Sequence, residues 1–105
     1  MSLFSLEGKV VLVTGASRGI GKAVAEKLVA MGAKVAGTAT SENGAANISE
    51  YLADNGKGYA LNVTDSDSVS ATLAAIKQDL GDIDILVNNA GITRDNLMMR
   101  MKDQE

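Results

Sequence analysis

Four short apolar runs, at residues 9–13, 34–38, 58–63 and 83–87, are separated by three stretches whose apolar residues recur at helical spacing. This alternation constrains the fold more than any other feature of the chain. Residues 10–13 (VVLV) carry no polar alternation, as expected of a strand buried on both faces. Ile20, Val24, Leu28 and Met31 form a stripe across residues 19–31, with Lys22 and Glu26 as an i,i+4 pair on another side and Gly32 placed to end the helix. Ala45, Ile48 and Leu52 give a second stripe, closed by Asn55-Gly56. Val69, Leu73, Ile76 and Leu80 give a third. It is preceded by Thr64-Asp65-Ser66-Asp67, which has the T-x-x-D form of a capping box, and it is ended by Gly81.

The order β-α-β-α-β-α-β implies a parallel sheet with helices on its faces. Right-handed crossovers restrict the winding, and the usual solution places the strands 3-2-1-4 with a switch point between the first and the fourth. The expected class is therefore α/β, a Rossmann-type doubly wound sheet. The segment 92–105 reads as a loop and the start of a helix, with Asp95 or Asn96 as cap and Leu97 and Met101 at i,i+4. A fourth strand left at the sheet edge, followed by a pattern that stops in mid-helix, suggests that residues 1–105 are the N-terminal part of one larger domain, with the later strands missing.

Composition excludes several kinds of chemistry. The chain holds no cysteine and no histidine, which removes thiol catalysis, cysteine–zinc sites and the commonest general base. A net charge of −3 gives no reason to expect a nucleic-acid or anionic-membrane surface. The start, MSLFSLEGK, is not a secretory signal, and no apolar run approaches the roughly 20 residues that cross a bilayer. A cytoplasmic location is the expectation.

The stretch VTGASRGIG places Gly15, Gly19 and Gly21 between the first strand and the first helix. Two readings are open there: a tight turn, or a bare backbone that admits a phosphate to the amides at a helix start. A P-loop fails, because Ala16 stands in place of its first glycine and Ala23 in place of its hydroxyl. The G-x-G-x-x-G fingerprint fails at Val24. What remains is T-G-x-x-x-G-x-G over Thr14 to Gly21. A second stretch, Asn88-Asn89-Ala90-Gly91, follows the fourth strand. In the order 3-2-1-4 it lies beside the glycine loop, in the crevice where open α/β sheets take ligands.

Together these motifs resemble those of the short-chain dehydrogenase/reductase family. LVTGASRGIG, GTATSENGA, NGKG, LNVT and DILVNNAGITRDNL resemble, more narrowly, the bacterial 3-oxoacyl-[acyl-carrier-protein] reductases of fatty-acid synthesis. The resemblance implies hydride transfer from NADPH to the 3-keto group of an acyl chain on acyl carrier protein, and a homotetramer. It implies that Gly15, Ala16, Ser17 and Arg18 line the adenosine phosphates, and that Gly19, Ile20 and Gly21 lie under the pyrophosphate. Asn62 and Val63 would border the adenine. Asn89, Ala90 and Gly91 would support the ribose and the approach to the nicotinamide.

The choice of NADP(H) over NAD(H) has its own physical reading. Gly37-Thr38-Ala39-Thr40-Ser41, at the end of the second strand, carries hydroxyls and no carboxylate before Glu42. An NAD site usually has an acid there, and a 2′-phosphate would instead meet Thr40 and the Arg18 guanidinium.

The same family's chemistry uses a serine, a tyrosine and a lysine, the last two in Y-x-x-x-K. Tyr51 is followed at i+4 by Asn55 and Tyr59 by Val63, so neither completes the motif, and both read as packing residues. Met98, Met99 and Met101 likewise read as packing rather than as an acyl-binding surface. No catalytic residue is assigned within residues 1–105, and a chain of these residues alone is expected to be inert. Two other readings stay open: a non-catalytic dinucleotide-binding module complete at this length, and a family member with another carbonyl or alcohol substrate. A methyltransferase on a similar fold would leave N-N-A-G unexplained.

Overall fold

The computed structural model describes residues 6–62 and 64–89. The helix start expected at Asp95 or Asn96, with Leu97, Met98, Met99 and Met101, lies outside the described residues. The elements in chain order are β1 (Val10–Thr14), α1 (Gly19–Ala30), β2 (Lys34–Ala39), α2 (Glu42–Leu52), a 3-10 turn (Ala53–Asn55), β3 (Gly56–Ala60), α3 (Ser66–Asp79) and β4 (Ile85–Asn88). The strands form one parallel sheet in the order β3-β2-β1-β4. This is the α/β, Rossmann-type winding expected from the alternation.

β1 is buried along its whole length, and its period of two divides the core. Val11 and Val13 turn to one face with Ala25, Val35, Ile48 and Leu52, under α1 and α2. Val10 and Leu12 turn to the other with Val69, Leu73 and Ile76 of α3. A strand covered on both faces has no room for a polar alternation, and so the sequence VVLV appears there.

Three local expectations are corrected. The first concerns α1. The stripe Ile20–Val24–Leu28–Met31 is not its inner face: the buried residues are Gly21 and Ala25, and Ile20 is 75% exposed. A Cβ on Gly21 would collide with the Gly15 carbonyl oxygen. The first turns of the helix therefore meet the sheet through Gly21 and Ala25, with Ile20 turned outwards and Leu28 and Val29 half-buried against the core further along.

The second correction is β3, which runs Gly56–Ala60 where a strand over residues 58–63 was expected. Gly56, which in sequence reads as the close of the second helix, belongs to the strand, and both of the strand's glycines serve close packing. A Cβ on Gly58 would strike the Ala45 carbonyl of α2, and Gly58 N–H donates to Ser49 Oγ at 2.9 Å.

The third is the cap of α3. Asp65 is the N-cap, its carboxylate accepting from the amides of Asp67 and Ser68 at 3.0 and 3.3 Å. The Thr64 hydroxyl donates instead to Asn62 Oδ1 at 2.6 Å, so no box forms at Thr64.

Candidate functional site

Parallel pairing brings the carboxyl ends of the strands to one edge. Thr14 pairs with Asn88 in register, so the loop after β1 and the corner after β4 begin side by side. Two side-chain bonds join them. The Thr14 hydroxyl donates to Asn88 Oδ1 at 3.0 Å, and Asn89 Nδ2 donates to the Gly15 carbonyl at 3.2 Å. Asn88 Nδ2 is buried and has no partner among the described residues.

The glycine loop then turns with φ of +63° at both Gly15 and Gly19, the left-handed region that glycine enters without strain. At Gly19 nothing lies within 4 Å of where a Cβ would stand, so that face of the turn is open. Arg18 is the N-cap residue of α1, in extended conformation, and its side chain makes no capping bond. No acidic residue occupies the first turn of α1. The orphan amides of that turn and the positive end of the dipole are therefore left to favour an anion.

Around these amides lies an open depression of about 660 Å³. Gly15, Ser17, Arg18, Gly19, Thr40, Asn62 and Asn89 stand on its walls. Thr14, Thr38, Ala39, Leu61 and Thr64 stand there too, and were not among the residues assigned to the site from the sequence. They follow from the sheet order alone, being the carboxyl ends of β1 and β2 and the segment after β3. No carboxylate is among the described lining residues.

Three of the residues placed at the site by resemblance do not line the depression. Ala16 is fully buried, its N–H donating to the Thr38 carbonyl at 2.8 Å and its carbonyl accepting from the Tyr51 hydroxyl at 2.5 Å. Gly21 is buried beneath Gly15, and Ile20 flanks an apolar groove on the outer side of α1 with Ala23, Val24 and Leu28. Val63, Ala90 and Gly91 lie outside the described residues.

The bare turn, the open face at Gly19 and the hydroxyl and amide side chains suit a phosphate-bearing ligand of extended shape. They offer little acid–base chemistry. Burial, with Glu26 nearby, pushes the Tyr51 phenol up to about 12. Burial and a bond to Asp79 raise the Tyr59 phenol as well, and neither tyrosine lines the depression. Tyr51 is nonetheless more than packing, because its hydroxyl reaches the glycine loop across 35 residues of sequence. Among the described residues no three histidine, cysteine or acidic side chains cluster to hold a metal ion. None of the described helices is long and apolar enough to cross a membrane.

The profile of the family described as short chain dehydrogenase matches residues 9–105. The chain belongs to that family. As a short-chain dehydrogenase it is also similar to curated proteins named 3-oxoacyl-[acyl-carrier-protein] reductase FabG. It is 72% identical over 101 residues to the one from Vibrio harveyi and 70% to the one from Salmonella typhimurium. To the Escherichia coli protein it is 67% identical over 101 residues. In each case the match takes in 96% of this chain and 41% of the relative, so the chain spans about two fifths of the length of these relatives.

Proposed function

We propose that residues 1–105 form the cofactor-binding part of an NADPH-dependent reductase that converts 3-oxoacyl-[acyl-carrier-protein] to 3-hydroxyacyl-[acyl-carrier-protein] in fatty-acid synthesis. The observation that carries this reading is the junction of the glycine loop with the asparagine corner, Asn89 to Gly15, at the mouth of a depression edged by bare amides. NADPH, when bound, supplies the hydride. Gly15, Ser17 and Gly19 hold its diphosphate from the main chain, Asn62 stands by the adenine, and Asn89 fixes the loop on the ribose side. The 3-oxoacyl substrate follows the names of the relatives.

The preference for NADP(H) rests on Arg18 and Thr40, which share the depression with no carboxylate among its described lining residues. A guanidinium and a hydroxyl favour a 2′-phosphate, and an acid in their place would repel it. Proton transfer to the reduced oxygen is assigned to residues outside 1–105, since the two tyrosines here are engaged elsewhere, and a chain of these residues alone is inert. A cytoplasmic homotetramer meeting acyl carrier protein completes the reading, by resemblance. A module that binds the dinucleotide without chemistry is the second reading, favoured by described walls that carry hydroxyls, amides and one guanidinium but no carboxyl, phenol or lysine ammonium. Loss of NADPH absorbance with a 3-oxoacyl thioester and the full-length protein supports the reductase. NADPH binding with no turnover of any 3-oxoacyl thioester favours the module.

A further inference from the structure

Tyr51 lies in the last turn of α2, half-buried against the core under α1 and α2. The Lys22 ammonium stands 5.2 Å from its ring centroid, and its hydroxyl donates to the Ala16 carbonyl. A trans peptide is planar, with its C=O and N–H pointing opposite ways. The bond to Tyr51 therefore directs the N–H of Ser17, in the same peptide unit, away from Tyr51. The preceding unit is held at both ends, Gly15 C=O by Asn89 and Ala16 N–H by Thr38. Two successive peptide planes of the glycine loop are thus fixed from three elements, and of their four polar groups the Ser17 N–H alone has no partner among the described residues. Ser17 stands on the wall of the depression, and Tyr51 does not.

We infer that Tyr51 is a positioning residue for the dinucleotide site: through the Ala16 carbonyl it sets the peptide plane that offers the Ser17 amide to the ligand's phosphates. The inference rests on the proposed NADPH-binding function and adds a residue from α2, outside the glycine and asparagine motifs. Without the hydroxyl the Ala16 carbonyl is left buried with no partner, a condition relieved by rotating the plane and turning the Ser17 N–H with it.

The test is NADPH titration of the full-length protein followed by cofactor fluorescence, with Tyr51→Phe and Tyr59→Phe compared. Tyr51→Phe keeps the ring and its Lys22 contact. Tyr59→Phe removes a hydroxyl of the same kind, which binds Asp79 of α3 on the opposite face of the sheet. For Tyr51→Phe the expected result is a roughly two- to tenfold rise in the Kd of NADPH, with KM for NADPH rising in step and kcat unchanged. Tyr59→Phe is expected to bind as the wild type does. In the wild type, NADPH is expected to slow hydrogen exchange at the Ser17 amide, a readout that needs no variant. Wild-type affinity in Tyr51→Phe, an equal loss in both variants, or unslowed exchange at Ser17 overturns the role of Tyr51 and leaves the NADPH reading standing. A wild type that does not bind NADPH overturns both.

Discussion

Asn89 donates its side-chain amide to the carbonyl of Gly15 at 3.2 Å, joining two corners 74 residues apart in the chain. That bond turns a sheet order into a site. It holds the loop after β1 against the loop after β4 at the point where the winding reverses direction. Replacing Asn89 with Ala frees the Gly15 carbonyl. The expected cost is about 0.5–1.5 kcal/mol of stability, read from urea unfolding, together with weaker NADPH binding. Unchanged values for both would show that the bond does not hold the loop.

Gly21 tests the packing of α1. Helix propensity alone favours Gly21→Ala by about 1 kcal/mol. The added Cβ, however, meets the Gly15 carbonyl oxygen, a backbone atom, and stands 2.8 Å from Asn89 Nδ2. Forcing side-chain atoms into a packed contact costs about 1–3 kcal/mol. The clash dominates, because the obstacle is main chain with no rotamer to yield. Net destabilisation is expected in urea unfolding, and a gain in stability would contradict the packing described.

Much of this was legible in the sequence, and the misses share a cause. The apolar runs, the β-branched VVLV and the spacing of the helical stripes specify a parallel sheet, and its order puts Gly15 and Asn89 together. The inner face of α1 was not legible. Hydrophobic periodicity weighs Ile20 and Val24 above Gly21 and Ala25, whereas the contact selects for small size. Gly56, read as the close of the second helix, is the first residue of β3, since a glycine admitted by close packing looks in sequence like one admitted by a turn. The bond from Tyr51 to Ala16 depends on how α2 lies over the loop, and no local pattern encodes it.

Asp79 gives a pH dependence. A bond from the Lys57 ammonium at 3.0 Å, and a second from the Tyr59 hydroxyl at 2.9 Å, hold its carboxyl below the ordinary value. A carboxyl depressed on folding adds stability at pH values above its unfolded value, and that stability is lost as the pH falls through the folded one. Asp79→Asn is therefore expected to flatten the acid limb of the stability–pH curve, with the difference from wild type vanishing at the lowest pH. The pair is partly exposed, so added salt should shrink the effect. An acid limb identical in both proteins would contradict the assignment.

Arg18 separates the two nicotinamide cofactors. Loss of a charge-assisted contact costs about 1.5–3 kcal/mol. Arg18→Ala is accordingly expected to weaken NADPH binding by about 10- to 100-fold, with NADH binding little changed. Equal losses for both cofactors would remove Arg18 from the 2′-phosphate.

The central claim is that bare amides at the opening of α1, with Asn89 beside them, hold the diphosphate of a dinucleotide. A crystal structure of the protein with NADPH tests it most directly. The account predicts the diphosphate within hydrogen-bond distance of main-chain amides among Gly15, Ser17 and Gly19, with the adenine beside Asn62. A diphosphate bound away from the loop after β1, or an adenine on the β4 side of the sheet, would contradict it.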